Sequence, residues 1–168
     1  TNPASSNSGF SALVGVAAAS SGTASALTVN DINADQLKQF FSGQHLTAGS
    51  SGFLADTYVA GQTRVDGIIN YESVLLGLNA GGKLSEPLDL VYPKDGIITA
   101  DYPLVLLDSA KRDQYTSLIG YFQGPDVQRR LMTDTNRRPT TAGVALDPRF
   151  PSQTLIELPF PAQLKVVD

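Results

Sequence analysis

The segment TNPASSNSGFSALVGVAAAS, residues 1–20, places a run of small polar residues directly in front of an apolar helix. The apolar face repeats at i, i+3, i+4, i+7 and i+8 and consists of Phe10, Leu13, Val14, Ala17 and Ala18. The polar run offers good N-cap residues, because serine and asparagine side chains accept hydrogen bonds from the first unpaired amides. The spacing therefore predicts a helix from about Ser8 to Ser20. Its start is either an ordinary capped end or a site for an anion or a carboxylate.

Two kinds of pattern alternate along the rest of the chain. Caps and helical spacing predict helices that begin near Asn30–Asp31, near Ser50, at Glu72, around Tyr115 and at Pro125. Short apolar runs between turn residues predict strands over 66–71, 88–92, 97–99 and 155–158, and 104–107 is either a strand or the first turn of a helix. Because helices and strands alternate through the middle of the chain, the sequence predicts an α/β fold, a three-layer mixed sheet flanked by helices.

The composition is that of one lightly charged globular domain. Of the 168 residues, 42% are hydrophobic and 17% are charged. The net charge of −4 argues against nucleic acid as the main partner. The longest apolar run, residues 12–19, is too short to span a membrane. Cysteine is absent, which excludes disulfides and thiolate chemistry and fits an extracytoplasmic protein.

Catalysis is the least favoured class of function. His45 is the only histidine, and the polar residues around it predict an exposed helix end. A single histidine cannot form a histidine-rich metal site, and residues 79–83 lack the spacing of a phosphate-binding loop. The sequence therefore predicts no catalytic residue, no metal ligand and no cofactor.

Four segments in fixed order carry a resemblance to a known family. They are 1–10 (TNPASSNSGF), 66–72 (DGIINYE), 91–103 (VYPKDGIITADYP) and 124–128 (GPDVQ), with RRP following at 137–139. Together they resemble the second lobe of type II periplasmic (extracellular) solute-binding proteins. The match is closest to the solute-binding-like domain of bacterial proteins that also carry a von Willebrand factor A domain. The resemblance implies one lobe of a two-lobed fold within a larger protein, with 1–100 as the lobe core and 101–168 as the return crossing and closing helices.

The resemblance also implies where a ligand would lie. It assigns ligand contact to Ser5, Ser6, Asn7, Ser8, Tyr71 and Glu72. It assigns the hinge to Asp101, Tyr102 and Pro103. The hydroxyls and amides suit an anion, whereas Glu72 suits a cation or an amine, so the ligand class stays open.

Ordinary structural roles compete with these assignments. Tyr71 is alternatively a packed core aromatic, and Glu72 an acid placed favourably in the first turn of a helix. The hinge residues are alternatively a plain turn. Arg137 and Arg138 either bind a carboxylate in bidentate fashion or form a solvated loop.

Two functions follow as expectations. The first is a non-catalytic extracytoplasmic domain that supplies part of a site for a small-molecule or anionic solute, or acts as a scaffold. Its partners in the parent protein would be the missing first lobe and a von Willebrand factor A domain. The second is a protein–protein or cell-envelope interaction module that has lost ligand binding. Neither involves nucleic acid or insertion of this chain into a membrane.

Overall fold

Helices carry almost all of the regular structure. The computed structural model describes residues 1–23, 25–61, 65–151 and 156–158. Within these ranges the α-helices are α1 (Asn7–Ser21), α2 (Ala34–Phe41), α3 (Ser51–Ala60), α4 (Glu72–Ala80), α5 (Arg112–Gln123) and α6 (Pro125–Thr135). Two short 3-10 helices span Val29–Asp31 and Ser109–Lys111. The chain divides into a first unit, Thr1–Ala100 with Gln153–Asp168, and a second unit, Asp101–Ser152.

Local capping signals set the helix starts. The Ser50 hydroxyl accepts from the Phe53 amide at 3.2 Å, and Pro125 occupies the first turn of α6, both as predicted. The second helix begins after the predicted cap at Asn30–Asp31, because Asn33 Oδ1 accepts from the Gln36 amide at 3.1 Å. The predicted helices are therefore confirmed, with a shifted start for α2.

The core of the first unit forms around the predicted apolar face of α1. Its buried side chains are Val14, Ala17, Ala18, Leu27 and Leu158, with Phe10, Ile32, Leu37 and Ile98 packed against them. The alanines let neighbouring segments approach the helix closely, and α2 contacts α1. The helical spacing therefore identified the buried face, but not the loop residue Leu27 that completes it.

The contact between α3 and α4 buries a second apolar group. Leu54, Ala55 and Tyr58 of α3 are buried, as is Leu76 of α4. Phe53 is 72% exposed. Of the large apolar side chains of α3, Leu54 and Tyr58 therefore face the interior, and Phe53 faces solvent.

The predicted three-layer α/β sheet is wrong. The described residues contain no strand, and their only β contact is one parallel bridge between Ile97 and Glu157. Segments 66–71, 88–92 and 104–107 are neither helix nor strand. The described residues therefore form a helical fold. They do not show the mixed sheet expected for one lobe of a solute-binding protein.

Asparagine side chains supply hydrogen bonds to main-chain groups outside the helices and at a helix start. Asn79 Oδ1 accepts from the Leu88 amide at 2.7 Å, and Asn79 Nδ2 donates to the Leu88 carbonyl at 2.9 Å. Asn70 Nδ2 donates to the Ser51 carbonyl at 2.9 Å. Main-chain groups of an apolar run need hydrogen-bond partners. For Leu88 the side-chain amide of Asn79 is that partner, and no neighbouring strand is required.

The second unit is held by buried polar side chains. Gln128 is buried, donates to the Phe122 carbonyl at 2.7 Å and accepts from the Thr140 amide at 2.7 Å. Arg149 donates to Asn136 Oδ1 at 2.8 Å. Met132 and Phe150 are the buried apolar side chains among the residues described for this unit.

Replacing Asn79 by alanine should lower the free energy of unfolding by about 1–3 kcal/mol, because both main-chain groups of the part-buried Leu88 lose their partner. Chemical denaturation measures the change. The matched control is Asn30→Ala, at an exposed asparagine. Equal stability losses for the two variants would contradict the role given to Asn79.

The stability contributed by Asp31 should depend on pH. The Thr28 hydroxyl and the Thr28 amide both donate to Asp31 Oδ2 and hold the pKa of that carboxyl below its ordinary value of 3.8. A lowered folded-state pKa adds stability above pH 3.8 that is lost as the pH falls through the folded value. The difference in unfolding free energy between the wild type and Asp31→Asn should therefore shrink on acidification in urea titrations. A difference that stays constant with pH would refute this linkage.

Candidate functional site

Two of the predicted ligand residues meet at the surface of the first unit. Asn7 is the first residue of α1, and Tyr71 is the N-cap of α4. Asn7 Nδ2 donates to the Tyr71 hydroxyl at 2.9 Å, across 64 positions of sequence. Asn7 is exposed and Tyr71 is half-buried. The contact brings the N-terminal ends of α1 and α4 together, and we call these two residues the Asn7–Tyr71 pair.

Glu72 follows Tyr71 in the chain, and a second tyrosine, Tyr92, bonds its carboxylate. It occupies the first turn of α4, where the helix dipole favours a carboxylate. The Tyr92 hydroxyl donates a short hydrogen bond to Glu72 Oε1. Glu72 and Tyr92 are both half-buried. The hydrogen bond from Tyr92 thus orients the Glu72 carboxylate.

Tyr92 was not among the residues predicted for the site. Its position is visible in the structure, where half-buried and exposed residues alternate over 88–92. Leu88, Leu90 and Tyr92 are half-buried, and the two residues between them are exposed. This period of two puts Tyr92 on the inward face together with both leucines.

The serines of the opening turn bond mainly to one another. Ser8 is buried, and its hydroxyl lies 2.6 Å from Thr1 Oγ1 and 3.1 Å from Ser6 Oγ. Ser6 is the N-cap of α1 but makes no side-chain bond to the helix amides. Ser5 is exposed. Of the four residues predicted in this turn, Asn7 is the one that reaches Tyr71.

Close packing at Gly9 fixes the opening segment. A Cβ on Gly9 would lie 2.5 Å from the Thr1 carbonyl oxygen and 2.8 Å from the Pro3 nitrogen. The Asn2 amide donates to the Ala48 carbonyl at 3.0 Å, and the Asn2 carbonyl accepts from Ser6 at 2.9 Å. The backbone of residues 1–3 therefore lies against the first turn of α1, where Asn7 is exposed.

The remaining predicted residues belong to the second unit. Asp101, Tyr102 and Pro103 are exposed and begin that unit, directly after the division at Ala100. The Arg137 guanidinium lies 5.1 Å from the centre of the Tyr102 ring, and Arg138 donates to the Pro151 carbonyl at 3.3 Å. Both arginines thus have partners within their own unit. The hinge role stays a prediction.

Two surface depressions lie away from the Asn7–Tyr71 pair. One of about 520 Å³ is lined by Ser20, Ser21 and residues 30–35. The other, of about 550 Å³, is lined by His45, Leu46, Thr57, Ala60, Gly61 and Val65. His45 is exposed, as predicted. Neither depression contains a residue that was predicted to contact a ligand.

Two types of site are not found within the residues that the structure describes. No three histidine, aspartate or glutamate side chains there are grouped closely enough to hold a metal ion. No helix in those ranges combines the length and the apolar character that crossing a membrane requires.

Comparison with known proteins returns no relative. No family model, no curated protein and no solved structure matches the chain. The resemblance to solute-binding proteins, the parent protein with a von Willebrand factor A domain and the extracytoplasmic location therefore stay predictions.

Replacing Gly9 by alanine should destabilise the chain by about 1–3 kcal/mol, because the added methyl group meets main-chain atoms of residues 1–3 that cannot move aside cheaply. Thermal or chemical unfolding measures the loss. Gly52→Ala is the control, since Gly52 lies in the first turn of α3 and has open space at its Cβ position. That variant should be neutral or more stable. A Gly9→Ala variant as stable as Gly52→Ala would disprove the close packing at Gly9.

Proposed function

We propose that the chain is a non-catalytic binding domain, and that its first unit binds a small polar solute at the Asn7–Tyr71 pair. The observation that carries the proposal is the hydrogen bond of 2.9 Å that joins these two surface residues from distant parts of the sequence. The bond joins an amide to the hydroxyl of an aromatic side chain, and Glu72 follows Tyr71 directly in the chain.

The hydrogen bond leaves one donor and one acceptor side by side. Asn7 Nδ2 donates, so the Tyr71 oxygen accepts and its own proton can be donated to a ligand. Asn7 Oδ1 has no donor among the described residues and can accept from the same ligand. A group that both donates and accepts, such as a sugar hydroxyl or a carboxamide, matches this arrangement. The Tyr71 ring adds an apolar face for the carbon skeleton.

The charge nearby supports a neutral or amine-bearing solute over an anion. Glu72 lies next to Tyr71 in the chain, and a carboxylate at that position repels a ligand of the same sign. The hydroxyls of Ser6 and Ser8, which an anion would need as donors, are engaged with Thr1 and with each other. Of the ligand classes left open by the sequence, the neutral and cationic ones therefore fit better.

Removing the Tyr71 hydroxyl should weaken binding of the solute by about tenfold, the equivalent of roughly one hydrogen bond. The intact chain is titrated by NMR with a neutral polyol, a carboxamide, a primary amine and inorganic phosphate. The polyol, the carboxamide or the amine should shift the amide signals of Asn7 and Glu72, and Tyr71→Phe should reduce its affinity. Tyr121→Phe serves as control, because it removes the same hydroxyl from an exposed tyrosine of α5.

Thermal unfolding of each variant shows that it is folded. Binding of the solute with unchanged affinity to the folded Tyr71→Phe variant would rule out the pair as its site. Phosphate binding at Asn7, without binding of the other three compounds, would rule out the proposed ligand class.

A further inference from the structure

A segment of the second unit exposes an unusual amount of apolar surface. Residues 101–108, DYPLVLLD, contain no helix, turn or bend. Val105 is 63% exposed and Leu107 is 94% exposed, and Tyr102 and Leu104 are exposed as well. Contiguous apolar surface of this kind is rare in a self-contained domain and marks interaction sites.

The main chain of this segment is also available. The amides of Val105, Leu106 and Leu107 have no acceptor among the described residues, and the Leu104 carbonyl accepts from the Tyr115 hydroxyl at 2.9 Å. Asp108, at the end of the segment, has φ −120° and ψ 112°, which is extended backbone. A segment whose amides are unpaired is a template for another strand.

We propose that residues 102–107 form a docking strand that pairs with an apolar β-strand of another polypeptide, carrying lysine or arginine at both ends. Such strand addition obtains its affinity from main-chain hydrogen bonds and its specificity from alternate side chains. Successive side chains of a strand point to opposite faces, and here both sets are apolar, as in a strand covered on both sides. Pro103 lacks an amide hydrogen, so the paired part centres on 104–107.

The charges at the two ends of the segment argue against a second copy as the occupant in either fully matched register. Asp101 and Asp108 bracket the six uncharged residues. An antiparallel pair of two copies that matches all six places Asp101 of one copy opposite Asp108 of the other. A parallel pair in register places each aspartate beside its own counterpart. Like charges directly opposite each other destabilise a strand pair, whereas basic residues at the ends of a partner strand are complementary.

The probe is a synthetic peptide of alternating valine and threonine between two lysines at each end. Two control peptides replace the lysines by glutamates, or a central valine by proline. With the full chain, the lysine peptide should bind most tightly and protect the amides of Val105 and Leu107 from hydrogen exchange. Leu107→Lys should weaken binding at least tenfold. Val91→Lys, at a residue of the first unit that is 88% exposed, should leave binding unchanged.

Replacing both aspartates, as Asp101→Asn with Asp108→Asn, should abolish the preference for the lysine peptide over the glutamate peptide. Thermal unfolding establishes that the variants fold. The Tyr71→Phe variant should bind the peptide like the wild type. The proposals for the solute site and for the docking strand are therefore tested independently.

Four results would overturn the proposal. No protection of residues 104–107 by any peptide, or equal binding of the proline peptide, excludes strand pairing. Equal binding of the lysine and glutamate peptides excludes charge as the selector. Self-association of the wild type that Leu107→Lys abolishes, measured by sedimentation, makes a second copy the occupant instead.

Discussion

The asparagine side chains of the first unit provide the interaction on which its organisation depends. Asn79 bonds both main-chain groups of Leu88, Asn70 bonds the Ser51 carbonyl, and Asn7 bonds Tyr71. Each net contribution is about 1 kcal/mol, but a buried main-chain group left without a partner costs more. The amides therefore decide where the non-helical segments lie against the helices, and the surface around Asn7 follows from that placement.

The helices were predictable because their signals are local. A serine cap, a proline in the first turn and a repeat of 3.6 residues all lie within one element, as at Ser50 and Pro125. Strand formation depends instead on a partner elsewhere in the chain. The apolar run at 88–92 has the composition of a strand, but Asn79 satisfies Leu88 without a neighbouring strand. An apolar run alone cannot distinguish these outcomes, which is why the predicted sheet was wrong.

The candidate site was predictable only in part, because its contacts also join residues that lie far apart in the chain. The resemblance named both Asn7 and Tyr71, and the structure brings them into contact. No periodicity or spacing joins residues that lie 64 positions apart. The inward orientation of Ser8 depends on the backbone of residues 1–3 against Gly9, a packing detail with no sequence signal beyond the glycine itself. Tyr92 and the buried Gln128 were missed because their roles arise from tertiary hydrogen bonds.

The second unit buries few apolar side chains, Met132 and Phe150 among its described residues, and relies as well on polar contacts. Its buried side chains include Gln128, whose bonds tie α6 to the segment at Thr140, while Leu107 and Val105 remain in solvent. Buried apolar area is the main favourable term in folding, and small units have little of it to spare. A polypeptide that covers the exposed segment would add to the stability of this unit by mass action, because it binds the folded state alone. The polar network around Gln128 and Arg149 fixes the geometry of α6 and its following loop without using the apolar side chains of 104–107. Those side chains are therefore left available for another chain.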